Sequence, residues 1–373
     1  MIDWKTIRAE FPALENWTFL NTATFGQLPK RATDAVACHF ARRDRLACAD
    51  FMRWFDDADV TRASIARLIH ATADDIAFLT NACAGLSLLI GGIDWKPGDR
   101  VVTLEDEFPN HYYYPSHLGG QGVEFVETPF ERFYESITPR TRLVAISMLN
   151  YTTGFRPPLE EIARFLDERG VLLYVDGTQG LGALEFDVSR IRPAMLSVHG
   201  YKWMLAPTGV GFMYVDPELR KRLPPSVIGW RSHKGWRNHE NLHHGLPEFE
   251  TKAEKYEGGM LGFDPIYAMA ASVEMMLEIG PREIEERVMQ LARKTRDILQ
   301  SAGGDVPAAR LPNYDSPIVT ARFEGTDARD LARRLEAHKV LVAARHGNLR
   351  VSPHFYNDES DLDQFEAALK SVL

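Results

Sequence analysis

Short apolar runs alternate with amphipathic stretches through the middle of the chain. β-rich runs fall at residues 75–80, 100–104, 123–127, 142–147, 171–175, 195–198 and 211–215, mostly separated by helical patterns. That alternation predicts an α/β fold with a mainly parallel sheet covered by helices. The segment 159–169 shows the helical period: Leu159, Ile162, Ala163 and Leu166 share one face, and Gly170 marks the stop. Residues 171–175 then read as a buried strand, which places Asp176 at its carboxyl end, where open sheets of this kind bind ligands. After residue 258 the pattern changes to long helices (267–279, 282–302) and short strands around 317–323, 340–344 and 349–351, with a helix at 327–337. We therefore expect a large domain with a seven-stranded sheet over residues 21–257. A smaller α+β domain is expected from residues 1–20 and 258–373.

With 373 residues and 45% hydrophobic content, the chain has enough apolar material for either one large core or two domains. The net charge of −9 and the scattered lysines and arginines argue against a nucleic-acid partner or a polybasic membrane surface. A small molecule is the expected partner. The three cysteines, Cys38, Cys48 and Cys83, have no metal-ligand spacing and are too few for a disulfide framework. No metal is expected, and a reducing, cytoplasmic setting is. Residues 1–11 lack the apolar core of a signal peptide, and no stretch approaches the roughly 18 apolar residues of a membrane span. No Gly-x-Gly-x-x-Gly follows a candidate strand, which disfavours a nicotinamide cofactor.

Two segments bring together the residue types of one cofactor chemistry. Asp176-Gly177-Thr178-Gln179 closes one strand, and His199-Gly200-Tyr201-Lys202-Trp203 follows another. Alone, the first is an ordinary turn and the second an ordinary solvated lysine. The apolar, glycine-rich stretch 203–211 changes that, because it would strip water from the amine and favour its neutral, reactive form. A lysine amine beside a strand-end carboxylate is what pyridoxal phosphate (PLP) requires: one forms a Schiff base, the other keeps the pyridine nitrogen protonated.

Residues 171–215 resemble the aminotransferase class V group of fold type I PLP enzymes, which includes cysteine desulfurases, kynureninases and isopenicillin N epimerase-like proteins. The likeness rests on the strand-Asp-x-x-Gln pattern ending at Gln179, on Gly200-Tyr201-Lys202-Trp203, and on Pro207-Thr208-Gly209-Val210-Gly211-Phe212. It continues along most of the chain. The resemblance implies the three-layer PLP-transferase architecture, PLP as cofactor and a homodimer. Lys202 would bond the cofactor aldehyde, Asp176 would pair with the ring nitrogen, and Gln179 would approach the phenolic oxygen, with Thr178 beside it. Asn81, with the backbone of Cys83 and Ala84, matches the phosphate loop, although Ala84 stands where many relatives have threonine; His199 and Tyr201 would assist. Phe108 takes the position of the ring, often histidine, that stacks on the cofactor. Near the phenolic oxygen two registers are open, Asn150 or Tyr151. Arg350 matches the arginine that grips the substrate carboxylate, and Asn21 lies in a segment that closes the substrate side. Met260 stands where relatives place a threonine against the neighbouring subunit's phosphate, a bond methionine cannot make. The cluster His111-Tyr112-Tyr113-Tyr114 reads equally as helix packing or pocket wall.

Cysteine desulfurases need a mobile cysteine late in the chain, and none follows Cys83. Without that thiolate, persulfide chemistry is disfavoured. Three readings stay open: a transaminase or epimerase acting on an amino acid through α-deprotonation, a PLP-dependent carbon–sulfur lyase, and a non-catalytic protein that keeps the fold. His233, His239, His243 and His244 form a candidate specificity loop.

Overall fold

The computed structural model describes residues 2–238, 240, 246 and 248–373. A two-residue strand, β1 (Thr18–Phe19), precedes seven strands of one sheet. These are β2 (Ile76–Leu79), β3 (Arg100–Leu104), β4 (Glu124–Thr128), β5 (Thr141–Ser147), β6 (Leu172–Asp176), β7 (Met195–His199) and β8 (Gly211–Val215). Their spatial order is β2-β8-β7-β6-β5-β3-β4, and only β8 runs against its neighbours. The mainly parallel α/β sheet expected from the apolar runs is therefore present, with strand ends shifted by a residue or two.

Both faces of the sheet are covered, so its central strands are apolar throughout rather than alternating. In β6, Leu173, Tyr174 and Val175 are buried on opposite sides in turn. The helix Leu159–Asp167 buries Leu159, Ile162, Ala163 and Leu166, as its period predicts, and carries Glu160 and Glu161 in its first turn, where the helix dipole favours acids. Gly170, at φ +65°, lets the chain turn back into β6. Because β2, β3, β5, β6 and β7 all run the same way, the segments leaving their carboxyl ends converge on one edge of the sheet.

A second sheet, ordered β11-β12-β9, is built from β9 (Val319–Ala321), β11 (Ala343–Arg345) and β12 (Asn348–Val351). The strand expected at 340–344 is divided: β10 (Val340–Leu341) leaves that sheet and pairs in parallel with β1. Leu20, Leu331, Leu349 and Phe365 centre a smaller core there. The helix Phe263–Ile279 packs on the helices Lys30–Leu46 and Phe51–Leu68 and shares the large core. We propose that it couples the two units expected from the sequence, a large one over 21–257 and a small one over 1–20 and 258–373.

Gly182 has φ +99°, and a Cβ there would lie 2.2 Å from the Trp203 carbonyl oxygen. Backbone on both sides leaves nothing flexible to yield. Gly182→Ala is expected to lower stability by about 2 kcal/mol or more, read as a reduced denaturant midpoint with an unchanged slope; an unaltered midpoint would contradict this packing.

Candidate active site

A cavity of about 350 Å³ opens where five of the six parallel strands end. It falls within the range of roughly 300–1,000 Å³ usual for small-molecule sites. β7 delivers His199, Tyr201 and Lys202 to its wall, and β6 delivers Asp176, Thr178 and Gln179. Since β6 and β7 are paired, with Asp176 opposite Ser197, the lysine and the carboxylate arrive side by side. From β2 come Asn81, Ala82 and Cys83 at the start of the helix Ala82–Gly92. Phe108 follows β3, and Tyr151 follows β5.

The loop that carries Lys202 is tied down on several sides. The Gly26 amide donates to the Tyr201 carbonyl at 2.9 Å. His354 Nε2 lies 2.9 Å from the Trp203 carbonyl, and its Nδ1 accepts from the Phe355 amide, so the proton sits on Nε2. Trp203 Nε1 donates to Gln179 Oε1, and Gln179 Nε2 donates to the Ala23 carbonyl. Leu205, just beyond, takes φ +55°, a strained conformation for leucine that this surround sustains.

Lys202 is 7% exposed. Burial lowers its pKa to about 8; Asp176 pulls the other way, and the guanidiniums of Arg350 and Arg345 reinforce the drop. The charged form still leads at neutral pH, but about a tenth of the amine is neutral, far more than for an ordinary lysine. Its nitrogen lies 5.8 Å from the centre of the Phe108 ring, which caps the cavity, and 5.4 Å from that of Tyr201. His199 is held below the ordinary imidazole range by burial and by Lys202, so it is neutral, and its buried Nε2 has no partner.

Beneath Asp176 lies a histidine whose role the sequence left open. His111 is fully buried, with Nδ1 3.3 Å from Glu107 Oε2 and Nε2 3.8 Å from Asp176 Oδ2. Burial alone would depress its pKa, but Glu107 and then Asp176 lift it above the usual value. Burial would raise Glu107, yet His111 and the Ser147 amide and hydroxyl hold it low. The result is a buried row of Glu107, His111 and Asp176 ending at the cavity, in which the flanking acids favour the protonated ring. The four-residue spacing of Glu107 and His111 at a helix start was the available signal.

Most residues singled out in the sequence meet here: Asn81, Cys83, Phe108, Asp176, Thr178, Gln179, His199, Tyr201 and Lys202. Ala84 does not line the cavity, and its amide is taken by Asn81 Oδ1 at 3.0 Å as a helix cap. Of the two registers at 150 and 151, Tyr151 faces the cavity. Asn150 turns into an adjoining space, where its side chain bonds the Asp106 carbonyl and accepts from Thr152 and Thr153. Asn21 reaches the substrate side only through Thr24, whose hydroxyl donates to Asn21 Oδ1 and accepts from Arg350 Nη2 at 2.6 Å. Arg350 is 1% exposed, and burial, reinforced by Arg345, lowers its pKa to about 9. Of the four loop histidines, His239, His243 and His244 lie outside the described residues; His233 is half-buried, with Nδ1 3.2 Å from the Lys234 carbonyl.

The aminotransferase class-V description matches residues 51–365. The chain belongs to that family. It is 28% identical to isopenicillin N epimerase of Streptomyces clavuligerus, covering 99% of this chain and 98% of that one. It is 24% identical to a probable cysteine desulfurase of Methanothermobacter thermautotrophicus, covering 98% and 97%. Among solved structures, the cystine C–S lyase C-DES in complex with cysteine persulfide superimposes with a TM-score of 0.89 at 21% identity, over 97% of this chain and 99% of that one. A cysteine desulfurase of Thermococcus onnurineus gives 0.88 at 19%, over 100% and 98%. The fold type I architecture and the PLP-enzyme class expected from the sequence both hold.

The residues present fit that cofactor. Phe108 offers a flat face for the ring, Asp176 a carboxylate for its nitrogen, and the helix start with the unpartnered His199 Nε2 a place for its phosphate. Two outcomes are expected from the electrostatics. Lys202 has a folded-state pKa of about 8, below its value in the unfolded chain. Between about pH 8 and 10.5 the unfolded chain therefore holds the extra proton, and cofactor-free protein should gain on the order of 2 kcal/mol of stability across that window. Lys202→Met should lose this rise, which denaturation at several pH values would measure. For the buried row, His111→Gln should weaken PLP binding by roughly tenfold, as expected for losing one adjacent buried charge; fluorescence titration giving an unchanged affinity would remove His111 from the site.

Proposed function

We propose that this protein removes the α-proton from an amino acid bound to PLP, and that it acts as a transaminase or an epimerase. The observation that carries the reading is a buried lysine of lowered pKa beside a strand-end carboxylate, with a buried arginine next to the same cavity. When bound, PLP accepts the electron pair left as the α-proton departs.

The protein's own groups do the rest. Lys202 Nζ, near its balance point, can take a proton and return it. Phe108 lacks any proton-carrying atom, so its ring shields one side of the cavity from water and leaves the proton work to the amine. Asp176, backed by the cationic His111, holds negative charge against the ring nitrogen. Arg350, with Nη1 on the Tyr151 carbonyl at 2.5 Å and Nη2 on Thr24, presents its fork in a fixed orientation suited to a carboxylate.

A second reading, carbon–sulfur lyase, is favoured by the close superposition on the cystine lyase C-DES. The two differ in products. A lyase releases ammonia with a keto acid, whereas a transaminase retains the amino group on the cofactor and an epimerase only inverts the α-carbon. The absence of any cysteine after Cys83 argues against a desulfurase. A homodimer and a cytoplasmic location belong to the same proposal; the exposed side chains of Ile228 and Met260 offer apolar surface to a second copy. Among the described residues, no helix is long and apolar enough to cross a membrane.

Purified protein supplied with PLP should be yellow. Lys202→Ala should abolish that colour, and Arg350→Gln should keep it while raising KM at least roughly tenfold with a smaller change in kcat. Ammonia release and chiral analysis over an amino-acid panel decide among the three reactions. A wild-type protein that stays colourless with PLP sinks the proposal.

A further inference from the structure

Arg350 is not the only arginine on the substrate side. β11 and β12 form a hairpin in which Ala343 faces Arg350 and Arg345 faces Asn348. Its turn is His346-Gly347, with φ of +47° and +78°. Paired residues share a face of a sheet and alternate residues return to it, so Arg345 and Arg350 project from the same face. Both guanidiniums reach one atom, the Thr24 hydroxyl oxygen: Arg350 Nη2 at 2.6 Å and Arg345 Nη2 at 3.4 Å.

Among the described residues, neither arginine has a carboxylate within 4.0 Å, whereas Arg8, Arg31, Arg62 and Arg231 each do. Arg350 Nε is buried with no acceptor at all. Two cations held together in a partly dry site without a counter-ion repel each other, and an incoming anion removes that penalty. The two also differ in depth. Arg350 is almost wholly buried, and Arg345 is half-buried, with Nη1 anchored on the Ala344 carbonyl at 2.8 Å. An inner and an outer guanidinium match a molecule with acidic groups at two ends.

We propose that Arg345 is a specificity residue and that the substrate is an amino acid with a second acidic group on its side chain, the α-carboxylate going to Arg350 and the distal acid to Arg345. This rests on the PLP reading for its chemistry, but the seat itself consists of protein groups. Arg350 Nη1 bonds the carbonyl of Tyr151, which lines the same cavity as Lys202. A neutral side chain would leave Arg345 without a counter-ion.

The test uses amine-free acids, which bind without reaction. Calorimetry on PLP-loaded protein compares succinate and glutarate with propionate and butyrate. The dicarboxylates should bind at least roughly tenfold more tightly, the equivalent of one charge-assisted contact. Arg345→Gln should abolish that margin and leave monocarboxylate binding within about twofold, while Arg345→Lys should restore part of it, because a point charge survives without the fork. Equal affinities in the wild type would overturn the proposal. So would an Arg345→Gln variant, folded by thermal unfolding, that weakens both classes equally, since both arginines would then clamp a single carboxylate. A protein that stays colourless defeats the PLP reading alone, because the same acid titrations can be repeated on cofactor-free protein, whose two arginines are unchanged.

Discussion

An amine removed from water loses hydration worth far more than any single contact returns, and the whole site is arranged around that fact at Lys202. Its loop is held by partners from four distant parts of the chain: Gly26, Gln179, Ser272 and His354. Such over-determination is what a strained, desolvated position needs in order to persist. Loosening the loop would let water in and return the amine to an ordinary, fully charged surface lysine. The lowered pKa is therefore a property of packing more than of any one neighbouring charge, and burial is its leading cause.

The opposite solution holds at His111. There a buried ring is biased toward its charged form, because carboxylates stand on two sides of it and the first is itself bonded to Ser147. Two buried bases a short distance apart are thus driven in opposite directions, one toward neutrality by apolar surround and one toward charge by anions. The pairing makes chemical sense. Under the proposed function, the group that exchanges protons must be labile, and the group behind the Asp176 carboxylate must not be.

Much of this was legible beforehand, for a physical reason. Residues at the ends of buried strands are fixed by the sheet, so apolar runs followed by Asp176 and by His199-Gly200-Tyr201-Lys202 located both groups within a residue. What local pattern could not supply were contacts across the chain. Thr24 matters because Arg350, 326 positions away, finds it. Arg345 is inconspicuous until the tight His346-Gly347 turn folds it beside Arg350. Strand β1 is too short to carry a period and exists only through its pairing with β10. The choice between Asn150 and Tyr151 depended on which side chain the following turn consumes, and Asn150 is occupied in holding Thr152 and Thr153.

The bond from His354 to the Trp203 carbonyl has a consequence for biosynthesis. Every strand of the large sheet has been synthesised once residue 215 is made, so that sheet can close while the rest of the chain is still being added. The partner that secures the lysine loop is separated from it by 151 positions. A nascent chain can therefore own a finished scaffold and still lack the tie on its lysine loop until the segment just beyond β12 emerges and docks.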